Sequence, residues 1–202
     1  MSARFSLKEC IVVLVCFLPW AAGLYFVHIN NHIPLSPLQQ ALDSKNFEQA
    51  KRLIQEGRIA DYNPRSDWFR TPLMMAVHNS LWGYDHEGHP VDWIEVVNLL
   101  LTSDADVNET GWLCYTPLHQ AASGKDPKII KILLSHGATL DRKNCHGQTP
   151  LMIAAAVGNV PVINELLIAG ANPRSLAKDG KTALEYAKTT EIATLIAEAK
   201  NK

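Results

Sequence analysis

Threonine-proline-leucine occurs at Thr71, Thr116 and Thr149, and Thr182-Ala183-Leu184 is a worn fourth copy. The steps from Thr116 to Thr149 and from Thr149 to Thr182 are equal, thirty-three positions each, and the step from Thr71 to Thr116 is longer by twelve. A second landmark, an apolar pair, closes each unit at Leu53-Ile54, Leu100-Leu101, Leu133-Leu134 and Leu166-Leu167. The motif leucine precedes that pair by the same fifteen positions twice, from Leu118 to Leu133 and from Leu151 to Leu166. Reading "SPLQQAL" (Ser36 to Leu42) as an earlier copy gives the same interval again, from Leu38 to Leu53. From Leu73 to Leu100 the interval is longer, again by twelve, so the excess is an insertion inside that unit. A fixed period of this size predicts a stack of like helical units, because one unit alone cannot bury its apolar face.

The residue types at each position have physical reasons. Proline suits the first helical turn, where its missing N–H has no intrahelical partner. The threonine before it can cap the helix through its hydroxyl. Ala121-Ala122 and Ala154-Ala155 let neighbouring helices approach closely. Gly137-Ala138 and Gly170-Ala171 fit the left-handed end of a second helix, and Asp104-Ala105 is a weaker stop at the same place. Two stretches, 44–58 and 186–202, are rich in Lys, Glu and Gln, as end units with a polar outer face require. The array therefore reads as complete, with about five units.

"QTPLMIAAAVGNVPVINELLIAGANP" (Gln148 to Pro173) resembles the ankyrin-repeat consensus, in which a β-turn leads into two antiparallel helices. The resemblance covers residues 34–202. It implies an all-α ankyrin-repeat solenoid of helix–turn–helix units with β-turn hairpins. The departures are a degraded first unit, the insertion near 80–92, Met74 and Met152 where the family usually has His, and a shortened last unit. By the same resemblance, His119 occupies a structural position that bonds within its own unit.

Residues 1–33 form a different region. From Cys10 to Ile29 runs "CIVVLVCFLPWAAGLYFVHI", twenty residues without formal charge, eleven of them Leu, Ile, Val or Phe. Twenty helical residues cover ~30 Å, the thickness of a bilayer's hydrocarbon core. The expectation is one N-terminal transmembrane signal-anchor helix. A cleaved signal peptide is the alternative, with Ala21-Ala22-Gly23 as its site, although the apolar run continues past it. A lipoprotein site at Cys16 lacks the small residue expected before it, since Val15 stands there. Arg4 and Lys8 precede the segment and no Lys or Arg follows until Lys45. Positive charge stays in the cytoplasm, so the array is expected on the periplasmic or extracytoplasmic side of the plasma (inner) membrane.

Net charge is −1, which leaves no basic field for nucleic acid. Four cysteines without a C-x-x-C pair make neither a disulfide scaffold nor a zinc site. Cys114 and Cys145 fall in adjacent turns. Helix axes stacked ~8–10 Å apart predict Cα atoms beyond the ~7 Å disulfide limit, hence two free thiols. No nucleophile elbow, Walker loop, dinucleotide fingerprint or H-E-x-x-H is present, so no catalytic residue, cofactor or small-molecule substrate is expected. "DHEGH" (Asp85 to His89) has metal-binding residue types, but its spacing fits no zinc pattern, and a solvated loop is the simpler reading.

In ankyrin arrays the turn tips and adjoining first-helix ends line a concave face free of packing duty. By register these are Asp67, Trp68, Arg70, His78 and Asn79, then Trp112, Leu113, Tyr115 and Ser123, then Cys145, His146, Gln148 and Val157. Trp68, Arg70, His78, Trp112, Leu113, Tyr115, His146 and Gln148 are the candidate partner-binding residues, because aromatics and Arg dominate interface energy. The competing reading folds some of these rings onto neighbouring turns. In the insertion, Trp82, Tyr84 and Trp93 either pin the loop to its own unit or form a second contact site.

These features imply a non-enzymatic protein-binding module with another protein as partner. Small exported ankyrin proteins of bacteria resemble immunity or inhibitor proteins that neutralise a toxin. An accessory or scaffold protein for an envelope enzyme, such as one in a stress response, is the alternative.

Overall fold

The structure is a computed structural model that describes residues 35–59 and 71–199. All of these fall within the unit Ile33–Lys202. The expected membrane segment lies outside the described residues, as do Asp67, Trp68 and Arg70. Among the described residues no helix is long and apolar enough to cross a membrane.

Helices come in antiparallel pairs: α1 (Pro37–Asp43) with α2 (Phe47–Gln55), and α3 (Pro72–Ser80) with α4 (Trp93–Thr102). Then α5 (Pro117–Ala122) pairs with α6 (Pro127–Ser135), and α7 (Pro150–Val157) with α8 (Val160–Ile168), before α9 (Thr190–Ala199) closes the array. First helices stack on one another from α1 through α3 and α5 to α7, while α2 packs on α4, α6 on α8 and α8 on α9. No strand forms among the described residues; Tyr84 and Pro90 make one isolated antiparallel bridge.

Each first helix starts as the motif demands. Thr71, Thr116 and Thr149 are buried, and their hydroxyls accept the N–H of Met74, His119 and Met152. Ser36 does the same for Gln39 at 3.2 Å, so the degraded first unit keeps its cap. A buried cap leaves no water to satisfy those amides, which makes the hydroxyl obligatory. The fourth motif, with alanine for proline, forms only a turn over 183–186, where Glu185 accepts both the Thr182 N–H and its hydroxyl.

Second helices end in the left-handed region at positions one repeat period apart: Asp104 (φ 63°), Gly137 (φ 85°) and Gly170 (φ 92°). Asp104 meets the same backbone demand without glycine's freedom. The core is one continuous cluster through all units, with Leu100, Leu133 and Leu166 fully buried at equivalent heights. Ala122, Ala154 and Ala155 are fully enclosed, so no larger side chain fits between the first helices there.

The insertion folds back on the first pair. Asp85 N–H donates to His89 O and Val91 N–H to Gly83 O, which closes a small loop. The Asp85 carboxylate accepts the N–H of Glu87 and His89 at 2.9 and 2.8 Å, and His86 N–H donates to Lys45 O. Asp85 is thus a turn-closing residue, and among the described residues no group of three or more His, Cys, Asp or Glu could hold a metal. The three rings divide their roles. Trp93 is 1 % exposed, edge-on to Phe47 at 5.4 Å, and donates its Nε1–H to Tyr84 O. Trp82 is 60 % exposed beneath the Lys45 ammonium, and Tyr84 is also exposed.

Leu133→Ala removes a side chain from the middle of the core and leaves a cavity, so unfolding free energy should drop by about 2–5 kcal/mol in a denaturant titration. A drop under about 1 kcal/mol would mean that neighbouring units collapse into the space.

Candidate partner surface

The turn tips between units are built alike. In the three described tips one rung closes the turn: Gly111 N–H to Tyr115 O, Asn144 N–H to Gln148 O, and Ala177 N–H to Lys181 O, at 2.8–2.9 Å. A second rung ties each tip to the next, Cys145 N–H to Leu113 O at 2.8 Å and Lys178 N–H to His146 O at 2.9 Å. Buried Asn144 organises the middle tip, its Oδ1 accepting the N–H of both His146 and Gln148 at 2.9 Å. Its role was readable in advance: asparagine opening a turn commonly accepts from the backbone two residues on.

The tips are also joined covalently. Cys114 and Cys145 form a disulfide, with Cα atoms 5.2 Å apart. The expectation of two free thiols is corrected. It took the spacing between helix axes, whereas the tips stand one backbone hydrogen bond apart at Cys145 N–H and Leu113 O.

The candidate residues separate by environment. Trp112 is 43 % exposed at the start of a tight turn closed by Tyr115 N–H to Trp112 O, and His146 is exposed on the neighbouring tip. Leu113, with φ 56°, is half-buried. Tyr115 is half-buried too, its ring 5.3 Å from that of His119. Burial raises the pKa of its hydroxyl, partly offset by the Asn144 side chain. Gln148 spends its side-chain oxygen on Asn144 at 3.1 Å. His78, on α3, is half-buried with its Nδ1 3.3 Å from Gln120 Nε2. Asn79 is buried and donates to Leu42 O at 2.7 Å, a bond between units, so it does not belong to an open face. Ser123 is half-buried, donating its hydroxyl to Gln120 O, whereas Val157 is exposed. One outward surface results: Trp112 and Leu113 on one tip, Cys145 and His146 on the next.

His119 is fully buried beneath this surface. The Thr116 N–H donates to its Nδ1 at 3.2 Å, and its Nε2 lies 3.0 Å from Gln148 O. A carbonyl needs a donor and an N–H needs a lone pair, so the ring is neutral with its proton on Nε2. It bonds within its own unit, as the resemblance implied, and also reaches the next. Burial holds its pKa below the usual value, opposed by the Gln148 bond.

Stacked helix pairs with hydrogen-bonded turn tips define a helical-repeat solenoid. A family model for three copies of the ankyrin repeat matches residues 92–177 and 118–202, and one for a single ankyrin repeat matches residues 69–112. The chain belongs to the ankyrin-repeat family, and its array is a protein–protein interaction module. It is 30 % identical over 162 residues to ankyrin repeat protein nuc-2 of Neurospora crassa, covering 80 % of this chain and 14 % of that one. Alpha-latrocrustotoxin-Lt1a of Latrodectus tredecimguttatus is 28 % identical over 144 residues, covering 71 % of this chain and 10 % of the toxin. Putative ankyrin repeat protein FPV230 of fowlpox virus is 29 % identical over 147 residues, covering 62 % of this chain and 77 % of that protein. The chain thus spans a seventh or less of the first two. These relatives are fungal, animal and viral, and they lend no support to a bacterial origin.

The His119 geometry sets a pH response. Protonating Nδ1 would turn it from acceptor to donor against the Thr116 N–H. The folded state therefore binds this proton less readily than the unfolded chain, whose histidine titrates near ~6.5. Stability rises with pH wherever the unfolded state holds more protons. The His119 contribution is accordingly present above ~6.5 and lost as pH falls below it. Melting temperature should fall between pH 7.5 and 5.5, and less steeply in His119→Met, which installs the residue that stands at the equivalent positions Met74 and Met152. Equal slopes for the two proteins would rule out His119 as the source.

Proposed function

We propose that this chain is a non-enzymatic protein-binding module whose contact surface centres on Trp112. Leu113, Tyr115, His146 and Gln148 join it, with Gln148 held by Asn144. The observation that carries the reading is an exposed indole on a tip bonded covalently to its neighbour. A rigid aromatic group loses little conformational freedom on binding, and such residues supply most interface energy. His78, Trp68 and Arg70 complete the proposed surface by register.

In this reading residues 1–33 are a signal-anchor and residues 34–202 the binding domain, held on the periplasmic or other extracytoplasmic side. Support comes from the uncharged run 10–29, from Arg4 and Lys8 before it, and from the disulfide, a bond that persists in oxidising compartments. A partner met in such a space fits an inhibitor or immunity role against an incoming toxin.

Two outcomes test this. A reporter active only outside the cytoplasm, fused after Lys202, should give signal, and a cytoplasm-only reporter should not; the reverse result sinks the topology. For the surface, Trp112→Ala should weaken binding of a protein captured by the full chain by at least ~30-fold, about 2 kcal/mol. Its melting temperature should stay near that of the parent. Tyr115→Ala is a poorer probe, because the ring packs on His119. Unchanged affinity in Trp112→Ala would remove the indole from the interface.

A further inference from the structure

The three tips differ at one backbone position. Cys114, Gly147 and Gly180 are equivalent, each one repeat period from the next, and all are left-handed, with φ of 59°, 76° and 80°. Glycine adopts that region freely, whereas an L-residue with a Cβ does so at a cost. In the first of these tips the preceding residue is left-handed as well, Leu113 at φ 56° and ψ 26°. Its equivalents His146 and Asp179 are not among the positive-φ residues. Two consecutive non-glycine residues in the left-handed region persist only where their surroundings over-determine them. At the left-handed position itself this tip carries a disulfide-bonded cysteine where the other two carry glycine. The bond does for the Trp112 tip what glycine does for the others.

We propose that the Cys114–Cys145 disulfide is a thiol–disulfide exchange site, and that its reduction by a dithiol releases the turn that presents Trp112. Access favours attack on the sulfur of Cys145, which is exposed, over that of half-buried Cys114. One sulfur of the dithiol bonds to Cys145 Sγ. The Cys145–Cys114 bond breaks, its electron pair leaving on Cys114, which takes up a proton. The second sulfur of the dithiol then displaces Cys145 from the mixed disulfide, and Cys145 takes up the other proton. The protein gains two electrons and two protons, and the dithiol becomes a disulfide.

With the bond gone, only the backbone hydrogen bonds of the turn hold Leu113 and Cys114 in place. Both residues leave the left-handed region, the Leu113 carbonyl turns away from the Cys145 N–H, and the bond from Tyr115 N–H to Trp112 O opens. The next tip keeps its rungs, because Gly147 adopts its turn freely and the Asn144 side chain ties it. The consequence for binding rests on the reading of Trp112 as a contact residue; the exchange and the release of the turn do not.

The test therefore uses the full chain without any partner. Dithiothreitol is added under native conditions, thiols are counted by alkylation and mass, and amide hydrogen exchange is followed residue by residue. The expected result is two additional alkylated thiols. The amides of Cys114, Tyr115 and Cys145 should exchange at least tenfold faster, with those of Asn144 and Lys178 unchanged. The Cys114→Ser/Cys145→Ser variant should exchange like the reduced chain without reductant. Cys114→Gly/Cys145→Ser should retain protection at Tyr115 whether or not dithiothreitol is present, since glycine then holds the turn. The proposal is overturned if the thiols appear only in denaturant. It is equally overturned if the three amides of the reduced chain stay as protected as before, or if the serine and glycine variants exchange alike. A released turn that leaves partner affinity untouched would count against the Trp112 surface instead.

Discussion

A buried serine or threonine hydroxyl accepting the backbone N–H three residues ahead is the contact on which each of the first four units depends. At Thr71, Thr116 and Thr149 it starts the first helix in a place water does not reach. An uncapped amide there would cost about 1–3 kcal/mol. With proline setting the next φ, the helix begins at one residue and no other. That beginning fixes which face carries alanine toward the neighbouring unit, and so how closely units stack. The last unit shows the converse: without the proline, Thr182 heads a turn only.

Stacking also decides what the tips can be. Units at one repeat distance bring consecutive tips within a backbone hydrogen bond, and the rungs at Cys145 and Lys178 follow. Gly147 shows how tight this is, for a Cβ there would come 2.8 Å from the Lys178 nitrogen. The same proximity lets Cys114 and Cys145 bond. His119 couples the layers beneath, joining the cap of its own unit to the carbonyl of Gln148 in the next. The outward surface is thus braced from below by polar bonds and across by a covalent one.

The insertion illustrates how an interruption is absorbed. Trp93 closes the top of α4 and packs on Phe47, so the extra residues are anchored to the first pair without disturbing the register of the leucines. Asp85 ties the loop's own amides, which explains why its histidines and carboxylates, suggestive in sequence, assemble no metal site among the described residues.

The linear pattern by itself determined the repeat, the caps, the glycine and aspartate helix ends and the leucine core, because each reflects contacts within about one turn or one fixed period. A local rule is visible wherever its partners are near in sequence. Tertiary structure alone decided matters that depend on distances between units. Asn79 reads as an open helix end yet is spent on Leu42 O, and Tyr115 reads as a surface ring yet leans on His119. The pairing of Cys114 with Cys145 follows from the separation of two tips, which the spacing of helix axes does not give. Which rings face water is likewise a property of the stack, since burial is set by what the neighbouring unit covers.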